Sequence, residues 1–338
     1  MEQKPSRVRN LVFYGIALSP LLAIVGVLVY FTFLTNAFPQ AYRQYIRNIN
    51  FDCFDVVPDH RYVYRMKSGE CHFNNAEYST VQTIDANGFR NANPKVPYDA
   101  KVVLLGDSHT YGFSVNDADT LNAQLKSRHN IDALNLGVPI YATYRELAAA
   151  EDHAPNAQVL VLQYCENDLG ENAEYLTLPA DQEPENRKGI LQNITLAKEV
   201  YHARKAAGTP LGDTFRGIAQ VIREGEYANR WEMKQEDRTR DYEGEAQAFS
   251  DILARHMDYL KGRRLIIYES SSYGRNNTRF MHSFTKVLRE RLPELQFEVL
   301  DVTTATNKHD YFWLDDHPRA SFYAKLADML APHLKPGV

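Results

Sequence analysis

The sequence contains no long basic run and has little excess charge of either sign. Its 38 Lys and Arg residues stand against 43 Asp and Glu residues, which gives a formal net charge of -5. Proteins that bind nucleic acid usually concentrate positive charge on one surface, so this composition gives no electrostatic support for such a partner. A glycan, a lipid or a small ester is a more suitable class of ligand.

Several short motifs of well-known enzyme classes are also missing. The chain has no Walker A loop, no HExxH motif and no CxxC pair, so it carries no signature of a P-loop NTPase, a zincin or a thiol-redox protein. We therefore predict neither a metal site nor a cofactor. The composition is that of a chain that folds, because 44% hydrophobic and 24% charged residues are close to the averages for globular proteins.

One long hydrophobic run is present near the N-terminus. Residues 11–35 carry no charged side chain, and at about 1.5 Å per residue a helix of this length crosses a bilayer. Three basic residues and one acidic residue precede the run. The positive-inside rule therefore predicts a cytoplasmic tail at residues 1–10 and an extracytoplasmic remainder. A signal peptide is the competing interpretation, but its apolar core is usually only about 7–15 residues long.

The chain has only three cysteines. Cys53 and Cys71 lie 18 residues apart just after the predicted membrane span, where an oxidising compartment would allow them to pair. Spacing alone does not establish that their Cβ atoms meet, so two unpaired buried thiols are the alternative. Cys165 is then left as a free thiol.

Two regions follow the predicted span. Residues 36–98 are irregular and rich in Tyr, Asn, Asp and Pro, and we interpret them as a juxtamembrane collar. In residues 99–338, short apolar runs alternate with helical patterns, which predicts a parallel sheet covered by helices on both faces. A charged segment at about 170–245 interrupts the alternation; it is either an insertion that acts as a lid or a solvated surface excursion. The predicted strands occupy residues 102–105, 133–137, 159–162, 265–268 and 297–300.

A serine lies where the first predicted strand ends. The strand is followed by the turn Gly106-Asp107-Ser108 and then by a helical pattern, and ligands of open parallel sheets bind at the carboxyl ends of strands. Ser108 is therefore the candidate nucleophile, although Gly-Asp-Ser is also ordinary turn and helix-capping chemistry. Thr110 stands where the Gly-x-Ser-x-Gly elbow requires its last glycine, which disfavours the α/β-hydrolase fold.

Two further strand ends carry groups that donate hydrogen bonds. Gly137 follows the second predicted strand and Asn167 follows the third, and a glycine amide or an asparagine side chain can stabilise a developing oxyanion. His109 follows the candidate nucleophile directly. It is a candidate substrate contact, with a histidine on a surface loop as the favoured alternative.

A catalytic base is expected near the C-terminus. A serine hydroxyl needs a neighbouring base, and that base needs an acceptor on its other ring nitrogen. Asp315, Asp316 and His317 lie just before the last predicted helix. His317 is the predicted base and Asp315 its partner, because Asp316 adjoins His317 and more readily caps the helix.

These blocks together resemble the SGNH, or GDSL-type, hydrolase superfamily. The resemblance extends over about residues 100–335 in the expected order, and residues 83–90 look like the lead-in of membrane-anchored bacterial members. The blocks of the family are similar, in order, to Gly106-Asp107-Ser108, Asn135-Leu136-Gly137, Glu166-Asn167-Asp168 and the stretch from Asp315 to His317.

The resemblance implies a flavodoxin-like, three-layer α/β/α fold. It also implies that Ser108 is the nucleophile and one oxyanion donor, that Gly137 and Asn167 are the other donors, and that Asp315 supports His317 as the base. Cys165 departs from the family, which usually has glycine there. Asp315 and His317 lie two residues apart, where a spacing of three is frequent, and the shorter spacing is similar to that of SGNH-like acetyltransferases of bacterial polysaccharide export.

These expectations combine into one functional hypothesis. A membrane-anchored extracytoplasmic enzyme hydrolyses or transfers ester-linked acyl groups, with acetyl favoured, on an envelope glycan through a Ser108 acyl-enzyme. The same residues serve hydrolysis and transfer, and a membrane acyl-donor protein is a candidate partner. The rival hypothesis is a non-catalytic SGNH-like protein that binds glycan or acts as a scaffold in a membrane assembly.

Overall fold

The chain divides into two compact units. The first comprises Met1–Ile46 with Thr209–Thr239, and the second comprises Arg47–Gly208 with Arg240–Val338. The computed structural model of the chain describes residues 7–30, 50–57, 61–74, 77–177, 194–196, 198–199, 202, 240–312 and 317–334.

The described part of the first unit is one helix. α1 (Arg7–Val29) contains Pro20, and the side chains of residues 14–30 are exposed. Among the residues described, no helix is both long and apolar enough to cross a membrane. Residues 1–6 of the predicted tail and residues 31–35 of the predicted span lie outside the described residues.

Two antiparallel hairpins make up much of the described part of the collar. β1 (Phe54–Val56) pairs with β2 (Tyr64–Met66), and β3 (Gly69–Asn74) pairs with β4 (Ser79–Ile84). Residues 36–49 of the collar lie outside the described residues.

A disulfide cross-links the collar, and aromatic side chains of the collar pack in the core of the second unit. The structure pairs Cys53 with Cys71, with the Cα atoms 5.8 Å apart. Phe54, Tyr64 and Phe73 are buried in the same hydrophobic cluster as the central sheet. The collar therefore packs as part of the main core.

A five-stranded parallel sheet forms the centre of the second unit. Its strands are β5 (Val102–Leu105), β6 (Ala133–Asn135), β7 (Val159–Tyr164), β8 (Arg264–Glu269) and β9 (Gln296–Leu300). In space they follow the order β6-β5-β7-β8-β9, which corresponds to the 2-1-3-4-5 order of flavodoxin-like sheets. Each strand coincides with a predicted one, so the predicted parallel α/β architecture is confirmed.

Eight helices of the second unit are described in full. They are α2 (Ser108–Tyr111), α3 (Leu121–His129), α4 (Thr143–His153), α5 (Asp168–Thr177), α6 (Tyr242–Arg255), α7 (Met257–Leu260), α8 (Thr278–Arg291) and α9 (Ala320–Leu334). Most of the predicted insertion, residues 178–193 and 203–239, lies outside the described residues.

The helices cover both faces of the sheet. Successive side chains of a strand point to opposite faces, so Val103 and Leu105 pack in one hydrophobic cluster with α4, α6 and α8. Val102 and Leu104 pack in a second cluster with α3 and α9. A strand that is buried on both faces has a nearly continuous apolar sequence. The strands could therefore be predicted from the apolar runs in the sequence.

Candidate active site

Ser108 lies in a tight turn at the carboxyl end of β5, as the first residue of α2. The Asp107 side chain caps this helix and accepts a hydrogen bond from the His109 N–H at 2.8 Å. A Cβ atom on Gly106 would collide with the side chains of Thr110 and Gln163. Glycine is therefore required where the strand turns into the helix, and the turn exposes the Ser108 hydroxyl to a pocket.

His317 meets Ser108 across 209 residues of sequence. Its Nε2 atom lies 2.9 Å from the Ser108 Oγ, and its ring packs against the rings of His109 and Phe113, with centroids 5.4 Å and 5.0 Å away. A hydroxyl held against an imidazole nitrogen can lose its proton as it attacks a carbonyl carbon. Asp315 lies outside the described residues, so its role stays a prediction.

Gly137 does not occupy the position that the sequence analysis expected. Its N–H donates to the Oδ1 of Asn135 at 2.9 Å, and it is absent from the lining of the pocket at Ser108. A Cβ atom there would collide with the backbone of Thr110 and Tyr111. Gly137 thus allows the end of β6 to approach α2 closely, and its N–H is already used within the fold.

Ile140 lines the pocket instead, three residues further along the same loop. Its φ is 70° and its side chain is 59% exposed. A β-branched residue in the left-handed region is a strained conformation that recurs at functional sites. The Ile140 N–H makes no hydrogen bond to another described residue. Sequence reasoning missed this residue because an isoleucine carries no chemical signal of its own.

Asn167 follows β7 and is one of the residues that line the pocket. Its Nδ2 donates to the Oδ2 of Asp107 at 3.3 Å. A side-chain amide carries two hydrogens, so the second can donate to a ligand. The neighbouring Glu166 accepts from Arg275 at 2.9 Å and from the Ser272 N–H. Burial is the largest single effect and would raise the pKa of Glu166, but the charge of Arg275, hydrogen bonds to the carboxylate and the charge of Arg240 together hold that pKa below its ordinary value.

His109 is part of the buried wall of the pocket. Only 3% of its surface is exposed, so its interpretation as a histidine on a surface loop is wrong. Its Nδ1 lies 2.8 Å from the Ser270 Oγ, which in turn lies 3.1 Å from the hydroxyl oxygen of Tyr311. This network orients the imidazole beside Ser108, and its role as a substrate contact stays a prediction.

Cys165 is a buried thiol at the base of the same pocket. Burial raises its pKa well above the ordinary value, and nearby Glu166 adds to the effect. A thiol that stays protonated is a poor nucleophile, so Ser108 is the stronger candidate. Within the described ranges, no group of His, Cys, Asp and Glu side chains is arranged to hold a metal ion.

The pocket itself is small. Its volume is about 190 Å³, below the roughly 300–1,000 Å³ of pockets that take drug-sized ligands. One part of its lining is polar and another is apolar. The polar lining is formed by Asp107, Ser108, His109, Asn167, Ser272 and His317, and the apolar lining by Phe51, Phe54, Phe113, Pro139, Ile140 and Cys165.

Two buried carboxyl groups lie near this site without ion-pair partners among the described residues. Glu146 is 0% exposed and Asp168 is 1% exposed. Neither oxygen of Glu146 has a hydrogen-bond partner in the described part of the chain. Burial raises the pKa of both groups well above the ordinary values, and nearby carboxylates raise them further. Burial therefore favours the neutral form of each group.

Replacement of Glu146 with Gln is expected to flatten the pH dependence of stability. The unfolded chain releases the Glu146 proton near pH 4.5, whereas the folded chain keeps it to higher pH. The folded state then binds more protons, so its free energy of unfolding falls as pH rises above 4.5. The free energy of unfolding, measured with urea, should fall less between about pH 5 and about pH 8 in Glu146→Gln than in the wild type.

The exposed Glu70 provides the matched control, because Glu70→Gln should leave the wild-type decline unchanged. An unchanged decline in Glu146→Gln would show that the carboxyl group ionises normally in the folded protein.

Comparison with known proteins gives similarity at the level of structure only. No family model and no curated protein matches the chain. A protein described as lipolytic, of the G-D-S-L family from Desulfitobacterium hafniense DCB-2, is similar with 12% identity and a TM-score of 0.37 over 70% of this chain and 99% of that chain. An acetyl xylan esterase, Est2A from the rumen bacterium Butyrivibrio proteoclasticus, has 11% identity and a TM-score of 0.33 over 78% and 68% of the two chains.

A further similar structure is the psychrotrophic esterase EstA from Pseudoalteromonas sp. It has 10% identity and a TM-score of 0.35, over 70% of this chain and 99% of that chain. Similarity at these values assigns neither a family nor an activity to this chain.

Proposed function

We propose that this protein is a serine-dependent acyl esterase or O-acyltransferase of the SGNH type. Its substrates are ester-linked acyl groups, with acetyl favoured, on an extracytoplasmic glycan. The observation that carries the proposal is the 2.9 Å contact between the Ser108 Oγ and the His317 Nε2. This pair lies at the carboxyl end of a parallel strand and opens to a small pocket, which is where α/β sheets bind ligands.

In the proposed reaction, the Ser108 Oγ attacks the carbonyl carbon of the ester while His317 takes its proton. The bond between that carbon and the alcohol oxygen then breaks, and His317 returns the proton to the departing alcohol. Water or a sugar hydroxyl next attacks the acyl carbon and gives its proton to His317. The Ser108 oxygen leaves with that proton, so the enzyme is restored. Asp315 is proposed to orient His317 throughout.

The oxyanion of each tetrahedral intermediate needs donors at fixed positions. We assign this role to the Ser108 N–H, the Asn167 side chain and the Ile140 N–H. The last of these replaces Gly137, because the Gly137 N–H is bonded to Asn135. Ile140 is supported by its place in the pocket lining and by its positive φ.

The proposed location is the periplasmic side of a bacterial inner membrane. The uncharged run at residues 11–35 and the basic residues before it support an anchor with a cytoplasmic N-terminus. The pairing of Cys53 with Cys71 suits an oxidising compartment. A membrane acyl-donor protein is the proposed partner if the reaction is a transfer.

Covalent acylation of Ser108 tests the proposed function directly. The full-length protein in detergent is incubated with a short-chain activated ester, digested and examined by mass spectrometry. The peptide that contains Ser108 should gain the mass of one acyl group, and the gain should disappear in Ser108→Ala. A sugar acceptor that removes the acyl group faster than water does would identify a transferase.

A folded wild-type protein that shows neither turnover nor acylation over several acyl lengths would exclude this proposal. The non-catalytic glycan-binding or scaffold function would then be the better hypothesis.

A further inference from the structure

We infer that the collar supplies the acyl-binding wall of the pocket, and that Phe51 and Phe54 restrict it to short acyl groups. This inference rests on the proposed function, because it names the part of the molecule that selects the substrate of the same site.

The two phenylalanines form part of the apolar lining of the pocket. Both belong to the collar, whereas Ser108, Asn167 and His317 belong to the α/β layers. Phe54 is 2% exposed and Phe51 is half-buried. Their ring centroids lie 5.6 Å apart, so together they form a continuous apolar surface.

The surface is held rigidly from both sides. Cys53 lies between the two phenylalanines in sequence, and its disulfide ties them to β3. Phe51 begins a short turn that Asn50 caps by accepting a hydrogen bond from the Asp52 N–H at 3.2 Å.

The same surface is connected to the loop that carries Ile140. The Phe54 ring packs against Tyr64 at 5.8 Å, and the Tyr64 hydroxyl donates to the carbonyl oxygen of Pro139 at 2.6 Å. The Tyr141 hydroxyl donates back to the Tyr64 carbonyl oxygen at 2.5 Å. The collar therefore positions the apolar wall and the proposed oxyanion loop together.

The chemistry of an ester decides which part meets this wall. The carbonyl carbon must lie at the Ser108 Oγ, beside the polar donors. A sugar ring can stack its apolar face on an exposed aromatic ring, but Phe54 is only 2% exposed. The hydroxyls of a sugar enclosed beside it would lose their hydrogen bonds to water without replacement, so the sugar is disfavoured there. The alkyl part of the acyl group has no polar atoms and fits. The pocket has a limited volume of about 190 Å³, and Phe51 and Phe54 form part of its boundary, so their rings limit the length of the acyl chain.

Two opposite changes at Phe51 test the inference. The full-length enzyme in detergent is assayed with p-nitrophenyl acetate, butyrate and hexanoate. Phe51→Ala should raise the hexanoate-to-acetate ratio of kcat/KM by about tenfold or more, because hydrophobic pockets discriminate about tenfold or more per methylene. Phe51→Trp should lower the butyrate-to-acetate ratio, because the larger ring narrows the pocket. Phe54 is kept, since it is buried in the core.

Phe297→Ala is the matched control, because Phe297 packs at the edge of the same hydrophobic cluster but does not line the pocket. It should leave both ratios at the wild-type values. Thermal unfolding of each variant establishes that it is folded before rates are compared.

The outcomes separate the two proposals. If turnover depends on Ser108 but neither Phe51 variant changes the chain-length preference, the inference about the collar is wrong and the proposed function stands. If the folded wild type has no Ser108-dependent turnover of any ester, the proposed function itself fails.

Discussion

Ser108→Ala is expected to lower kcat for ester turnover by about 10⁴- to 10⁶-fold. Alanine has no hydroxyl to form the acyl-enzyme, so only the donors of the pocket and substrate positioning remain. His317→Ala is expected to cause a loss of similar size, because the Ser108 hydroxyl then has no base at 2.9 Å. Initial rates with p-nitrophenyl acetate measure both effects.

The double variant distinguishes a shared mechanism from two separate effects. Substitutions of residues that act as a unit have strongly non-additive effects on the rate. The double variant with Ser108→Ala and His317→Ala should therefore be little slower than either single variant. His309→Ala is the control. His309 also lies beside an aspartate, but it is exposed and does not line the pocket. Near wild-type turnover in His317→Ala would falsify the assignment of the base.

Arg90→Met is expected to reduce the free energy of unfolding by about 3–5 kcal/mol. Arg90 is 0% exposed and its guanidinium lies 2.8 Å from a carboxylate oxygen of Asp117, which is itself nearly buried. Its removal leaves Asp117 as a buried charge without its cation. It also removes the hydrogen bonds to the carbonyl oxygens of Gly112 at 2.5 Å and Val115 at 2.8 Å.

The exposed ion pair between Lys126 and Asp132 provides the matched control. Its length is 2.9 Å, but its side chains are 42% and 47% exposed. Exposed pairs contribute only about 0–1 kcal/mol, so Lys126→Ala should unfold almost as the wild type does. Urea unfolding of both variants gives the comparison. A loss in Arg90→Met as small as that in Lys126→Ala would show that the Asp117 charge is accommodated in another way.

The Arg90 contacts also explain how the collar supports the site. Gly112 and Val115 belong to the loop that directly follows α2, and Ser108 begins that helix. Asn91 exchanges two hydrogen bonds of 2.8 Å with the backbone of Asn135 at the end of β6. Adjacent collar residues thus hold the loop after α2 and the end of β6. The sequence marked residues 83–90 only through their resemblance to a family, and it gave no physical reason for Arg90.

Some predictions depended on local information and agree with the structure. The strands β5 and β7 were located because both faces of each are buried, which leaves an apolar run in the sequence. Ser108 and Asn167 were singled out because both follow such strands, and parallel strands direct their carboxyl ends to one edge. The structure brings both residues to the lining of the same pocket.

Other features depended on contacts between distant residues. The N–H of Gly137 was expected to face the oxyanion, but a hydrogen bond to the Asn135 side chain engages it. His109 was expected on a surface loop, but the residues that bury it lie more than 150 positions away, at Ser270 and His317. No local pattern reports the direction of one amide or the burial of one side chain.

The sequence by itself determined the parallel α/β architecture and the residues at its strand ends. These depend on hydrophobic periodicity and on turn chemistry, which act over a few neighbouring residues. Only the tertiary structure decided that the collar lines the pocket, that Ile140 rather than Gly137 is part of that lining, and that His317 reaches Ser108. Such contacts join residues far apart in the chain, and packing of the whole core selects them.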